Sequence, residues 1–174
     1  MSRLAQDILA DPGVGTVIVN EGLENLLQSG GTQAAETSLM NDGYTELYNL
    51  LSEWGITVIF ATMTPCSGYI GSSSQTPQDA CTTGTAPSVE SDRFYVNYSD
   101  LWADWGGNVP IPGAPAIATA VDFDSAVSAS PYDGGNGNTL DSPVEALASA
   151  DNSGDNVNLS NAGYKAVTET IPSG

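Results

Sequence analysis

Two short runs, Thr16-Val17-Ile18-Val19 and Thr57-Val58-Ile59-Phe60, decide the fold. After its opening threonine each run is wholly apolar, so each reads as a strand buried on both faces rather than one alternating between core and water. Between them Leu47, Leu50, Leu51 and Trp54 recur at helical spacing, with Asn41 or Asp42 as candidate cap and Gly55 as terminator. Strand, helix and strand of this kind predict a parallel sheet covered on both faces, a three-layer α/β/α domain of flavodoxin-like type.

Working outward, Leu4, Ile8 and Leu9 share one helical stripe that Asp11-Pro12-Gly13 stops. Downstream, Phe94, Tyr98, Leu101, Trp102 and Trp105 fall along one helix face, where core packing explains them better than a ligand platform. Ala118 to Phe123 reads as a third, weaker strand, and Tyr132 to Ser153 as a long loop rich in Gly, Asn, Asp and Ser. Ser160 is placed to cap a last helix through Ile171, with Ala162, Ala166 and Val167 turned inward. No internal repeat is visible, and residues 1–174 read as a single domain.

Composition removes whole classes of function. Across 174 residues, 3 Lys+Arg face 21 Asp+Glu, a formal net charge of −18. Such a surface repels nucleic acid and anionic lipid. With no histidine, the chain cannot by itself supply a Ser-His-Asp triad, a Cys-His dyad or an imidazole-ligated zinc. No apolar run approaches the roughly 20 residues that span a bilayer, and the first residues do not resemble a signal peptide. No cofactor or metal is expected.

Cys66 and Cys81 bracket a Gly/Ser/Thr/Gln-rich segment. A bridge closing a loop of about 15 residues stabilises by about 3 kcal/mol in the chain-entropy model. A disulfide, and with it a secreted or extracellular location, is the expectation.

The run Asp7-Ile8-Leu9 … Pro12-Gly13-Val14 … Thr16-Val17-Ile18-Val19-Asn20-Glu21-Gly22 resembles the SGNH (GDSL-type) hydrolases, where a similar strand leads into a Gly-x-Asn-Asp block. Asp155-Asn156-Val157-Asn158-Leu159-Ser160-Asn161-Ala162-Gly163-Tyr164 resembles that family's Asp-x-x-His-Pro-Asn-x-x-Gly-Tyr. Thr57 to Pro65 and Val121-Asp122-Phe123-Asp124 are similar to later strands of its secreted members. The resemblance implies ester hydrolysis by a serine, with a Gly amide and an Asn side chain holding the oxyanion and an Asp orienting a His base.

Each departure from that pattern has a chemical meaning. No counterpart of the serine block or the oxyanion glycine is found, so the resemblance implies a domain truncated at its N-terminus and lacking the first strands. The Gly-x-Asn-Asp block reads Gly22-Leu23-Glu24-Asn25, which puts a carboxylate where an amide donor belongs. Asp155 matches the triad Asp, but Asn158 stands at the His position, and an amide cannot accept and return a proton near neutrality. The vestigial positions are therefore Gly22, Glu24, Asn25, Asp155 and Asn158, none of them intact machinery.

The leading expectation is a degenerate or truncated SGNH-hydrolase-like domain with a binding or structural role. Asn25, Asn158 and Tyr69 are candidate contacts to an acyl or acetylated-glycan ligand. The alternatives are an active carboxylester hydrolase with an atypical site, in which Glu21, Glu24 and Asp155 could converge, and a calcium-stabilised extracellular module using Asp151-x-Ser153-x-Asp155. Solvated surface charge is the simpler account of these acids. The strand Thr16 to Asn20, left without its neighbours, should present an uncharged edge suited to self-association.

Overall fold

The computed structural model describes residues 4–29, 32, 34, 38–69, 81, 89–97, 120–129 and 146–171. Three parallel strands, β1 (Thr16–Val19), β2 (Thr57–Ala61) and β3 (Ala120–Val121), form one sheet in the order β1-β2-β3. Thr16 pairs with Thr57 and Phe60 with Ala120. The two apolar runs are the two longer strands, as their composition predicts.

Alternation along the strands splits the core in two. Val17, Val19, Val58 and Phe60 face one side, packing with Leu26 and Leu27 of helix α2 (Leu23–Ser29) and Leu51 of helix α4 (Thr45–Glu53). Val89 of helix α5 (Val89–Tyr95) joins the same cluster. Ile18, Ile59, Ala61 and Val121 face the other side, against Phe123 and Val127 of helix α6 (Phe123–Val127) and Val167 of helix α7 (Asn161–Glu169). The result is the three-layer α/β/α arrangement. The Tyr44 and Phe60 rings lie 4.9 Å apart within the first cluster.

The structure corrects several local expectations. Helix α4 has no cap at Asn41 or Asp42, because a π-helical turn α3 (Leu39–Tyr44) runs straight into it, as a similar turn α1 (Ala5–Leu9) forms the first helix. Gly55 does end α4, with φ at +72°, but Trp54 lies beyond the helix and is 61% exposed. The third strand stops at Val121, because Asp122 caps α6 by accepting the Ser125 N–H, so Phe123 is helical. Ser160 caps α7 as expected, accepting from Ala162 and Gly163 N–H, yet Ala162 itself is exposed. Within the stretch expected to be loop, Leu147 is buried and bridges Ser128 in antiparallel fashion. Of the aromatic stripe, Phe94 is buried in α5, while Tyr98, Leu101, Trp102 and Trp105 lie outside the described residues.

A buried charge cluster ties α5 to the end of β2. Arg93 donates from Nε and Nη2 to Glu90 Oε1 at 3.1 and 2.6 Å, from Nη1 to the Met63 carbonyl at 2.8 Å, and pairs with Asp124 Oδ1 at 2.9 Å. Asn97 accepts the Met63 N–H at 2.8 Å and donates to both the Met63 carbonyl and Asp124 Oδ2. Glu90, Arg93, Asn97 and Asp124 are all fully buried. Burial pushes the Glu90 carboxyl up and the Arg93 charge pulls it back. Replacing Arg93→Met would leave two carboxylates buried without their cation, at a cost of about 3–5 kcal/mol, readable as a lower urea midpoint.

Asp92, on the same helix, is also buried, and its Oδ2 has no hydrogen-bond partner. Burial raises its carboxyl from 3.8 to about 6. The folded chain thus keeps a proton that the unfolded chain has released, so stability falls as pH rises through that window. Asp92→Asn removes the penalty. Its melting temperature should exceed the parent's at pH 7.5, and the gap should close toward pH 4.

Candidate functional site

Open parallel sheets place their sites beyond the carboxyl ends of the strands. Here that edge carries Asn20-Glu21-Gly22 after β1, Thr62 to Pro65 after β2, and Asp122 after β3. Asn20, Glu21, Gly22, Leu23, Glu24, Met63 and Thr64 line a cleft of about 140 Å³. It is small and largely polar, with two carboxylates on one wall.

Gly22 builds that wall. Its φ of +111° is a conformation L side chains rarely adopt, and a Cβ there would meet Tyr44 Oη at 2.7 Å and Leu39 Cδ2 at 2.9 Å. The Tyr44 hydroxyl reaches over to donate to the Glu21 carbonyl. Burial, with a smaller contribution from the Glu21 charge, raises the Tyr44 hydroxyl well above its ordinary value, so it remains a neutral donor. The backbone at Gly22 is therefore fixed by its neighbours rather than left loose.

The side chains that would act are less well placed. Glu24 is exposed on the first turn of α2 and accepts from Gln28 Nε2 at 2.9 Å. It offers no hydrogen-bond donor while ionised. Asn25 turns away from this cleft into a separate crevice of about 370 Å³, shared with Ser38, Leu39, Asp42 and Gly43. Across the sheet, the Thr62 hydroxyl donates to Asp122 Oδ1 and accepts the Asp124 N–H, so both groups are spent on structure.

Asp155 and Asn158 share one tight loop. Asp155 Oδ1 accepts the N–H groups of Asn158 and Val157 at 2.8 and 3.0 Å and the Ser153 hydroxyl at 3.1 Å. Asn158 Nδ2 donates to Asp155 Oδ2 at 2.6 Å. This donation, from the Asn158 side chain first and then from the backbone, holds the Asp155 carboxyl down at about 2. A carboxylate so stabilised is a poor base near neutrality.

The loop is organised by further internal bonds. Asn152 Oδ1 accepts from Gly154 and Asn156 N–H, and Asn156 Nδ2 reaches the Gly68 carbonyl at 3.1 Å, tying the loop to the segment after β2. The Asp155 carboxylate, one of the groups in the calcium reading of Asp151-x-Ser153-x-Asp155, is bonded to the loop's own donors.

Among the described residues, the one trio of Cys, Asp or Glu whose ligand atoms come within 4.8 Å of one another is Cys66, Cys81 and Glu90. Glu21, Glu24 and Asp155 form no such close trio; Glu21 and Glu24 line the same cleft, and the Asp155 carboxylate is bonded within its own loop. Cys66 and Cys81 are joined as the expected disulfide, with both sulfurs 3.2–3.3 Å from Glu90 Oε2. A bonded pair is closed to a metal in this state. Tyr69 is tied into the disulfide segment: its N–H donates to the Cys66 carbonyl, its carbonyl accepts the Cys81 N–H, and its partly buried side chain packs against the core.

The Glu90, Arg93, Asn97 and Asp124 cluster escaped the sequence reading. A signal existed, because Glu90, Arg93 and Asn97 lie three and four residues apart and so share a helix stripe. Nothing in their spacing says that the stripe faces inward.

No protein-family model matches the chain, and no curated protein matches it in sequence. Among solved structures, a Bacteroides fragilis protein described as a putative acylhydrolase is similar in fold, with a TM-score of 0.54 at 16% identity over 98% of this chain. The chain spans 64% of that protein's length. The likeness supports the three-layer α/β fold.

If Asn158 is what holds the Asp155 carboxyl down, Asn158→Ala should move its titration upward from about 2 toward the ordinary aspartate range. Carboxyl-carbon NMR from about pH 1 to about pH 6 spans both values and reads this directly.

Proposed function

We propose that residues 1–174 are one domain of SGNH (GDSL-type) hydrolase descent that keeps the fold without the ester-cleaving chemistry, and serves as a binding or structural domain outside the cytoplasm. The observation that carries this reading is the pair Asp155 and Asn158. At the family's His position, Asn158 donates one N–H to the aspartate, as an imidazole would, but has no basic nitrogen to take a proton from an attacking hydroxyl. The loop keeps its shape and loses its base.

Two further features point the same way. The carboxylate of Glu24 occupies the family's amide-donor position, where negative charge opposes a developing oxyanion. Losing groups that act as a unit leaves only residual transition-state binding. The fold likeness to an acylhydrolase and the buried disulfide support the descent and an oxidising environment respectively. A ligand seated at the Glu21 and Glu24 cleft would not be anionic, because these carboxylates repel anions, and an acetylated glycan meets that condition.

The test is hydrolysis of short p-nitrophenyl esters by the purified chain. Release indistinguishable from buffer is expected. Turnover that disappears in both Glu24→Ala and Asp155→Ala would replace this reading with an active hydrolase of unusual mechanism.

A further inference from the structure

The register of β1 on β2 fixes which backbone groups of β1 remain free. Thr57 N–H donates to the Gly15 carbonyl at 3.0 Å, and Thr16 pairs with Thr57, Val17 with Val58, Ile18 with Ile59. In a parallel pair only alternate residues bond across the gap, so Gly15, Val17 and Val19 turn their backbone groups toward β2. Thr16 and Ile18 turn theirs the other way. β1 ends the strand order, and among the described residues those outward N–H and C=O groups have no partner.

The side chains tell the same story. In β2, Val58, Phe60 and Ala61 are buried, whereas in β1 only Val19 is; Val17 and Ile18 are half-buried and Thr16 is exposed. Yet β1 is as apolar as β2, and Val17 and Ile18 belong to the cores on opposite faces of the sheet. Both layers stop short at this edge. The edge carries no charged residue, Pro or bulge, the devices that normally blunt such a surface.

We propose that β1 pairs with β1 of a second copy of this chain, antiparallel about a two-fold axis through Val17. That axis sets Thr16 opposite Ile18 of the other copy, and Ile18 opposite its Thr16. Both are then hydrogen-bonded pairs of an antiparallel ladder, so the free N–H and C=O groups of Thr16 and Ile18 in both copies are satisfied together. Shifting the register by one residue would bring inward-facing groups to the seam, and shifting it by two would no longer set Thr16 opposite Ile18, so centring on Val17 is what satisfies both residues of both copies together. The product is a continuous sheet of six strands, three from each copy, with the half-buried faces of Val17 and Ile18 extended across the join.

A second copy suits this edge better than a charged partner does. The chain carries −18, but the seam residues Thr16 to Val19 are neutral. Two like-charged bodies then repel at a distance and pair through an uncharged strip, so association should strengthen with salt, opposite to a contact held by ion pairs. An isologous contact also closes on itself and stops at the dimer.

The experiment uses the full chain. Light scattering after size exclusion, at rising protein concentration and at low and high salt, should show a reversible monomer–dimer equilibrium shifted to dimer by salt. Val17 lies next to its own copy in a non-hydrogen-bonded pair, with Cα atoms about 4.5 Å apart, within the range a disulfide spans. Val17→Cys should therefore give a disulfide-linked dimer on mild oxidation. Thr16→Cys should not, since Thr16 and its copy stand two residues out of register. Amide exchange adds a readout that needs no substitution: Thr16 and Ile18 should be protected in concentrated samples and exposed on dilution, while Val17 and Val19 stay protected in both. A monomer at every concentration overturns the proposal. So does a dimer in which Val17→Cys fails to cross-link and the Thr16 and Ile18 amides exchange freely, or growth beyond the dimer.

Discussion

The side chain of Asn97 does for Met63 what a neighbouring strand would do: it accepts the Met63 N–H and donates to the Met63 carbonyl, both at 2.8 Å. The chain leaving β2 has no backbone partner at this point, and a buried peptide group without one costs free energy comparable to a lost hydrogen bond. Arg93 adds a second donor to the same carbonyl and brings its charge into the core, which then requires Glu90 and Asp124 beside it. The disulfide rests on the far oxygen of Glu90. One unsatisfied peptide group is thus answered by a chain of side chains that links α5, α6 and the disulfide loop to the end of the sheet.

The same constraint reaches the cleft. Met63 lines it, and its sulfur stands 3.2 Å from where a Gly22 Cβ would be, so the turn after β1 is shaped against a residue whose own backbone is clamped from below. The cleft wall is rigid for reasons of packing. Its chemistry is a separate matter, since its carboxylates can repel or accept but cannot shuttle a proton with an imidazole that the chain lacks. The loop of Asp155 shows the same division: every interaction recorded for its carboxylate is spent on holding a turn, which makes it well ordered and chemically quiet.

Much of the frame was legible because burial on both faces leaves a simple trace. The strands Thr16 to Val19 and Thr57 to Phe60 could be read from composition, and Ser160 from its capping chemistry. The misreadings occurred where local and tertiary demands compete. Trp54 fits the helical stripe of Leu47, Leu50 and Leu51 but stands at the end of the helix, just before the turn made by Gly55, and is exposed to water. Phe123 looks like the end of a strand, yet the Asp122 side chain starts a helix one residue earlier.

By itself, the sequence determined the layered α/β class, the pairing of Cys66 with Cys81, and the absence of any imidazole chemistry, because apolar runs, cysteine number and missing residue types need no third dimension. Only the tertiary structure decided that Glu90, Arg93, Asn97 and Asp124 meet in the core, that Glu21 and Glu24 line one cleft while the Asp155 carboxylate is held by its own loop, and that the backbone groups of Thr16 and Ile18 face outward. Those outcomes depend on register and on contacts between residues some 30 to 60 positions apart, such as Met63 with Asn97 and Thr62 with Asp122, separations of 34 and 60. Charge and polarity along a chain say what a residue needs, and the fold alone says which partner supplies it.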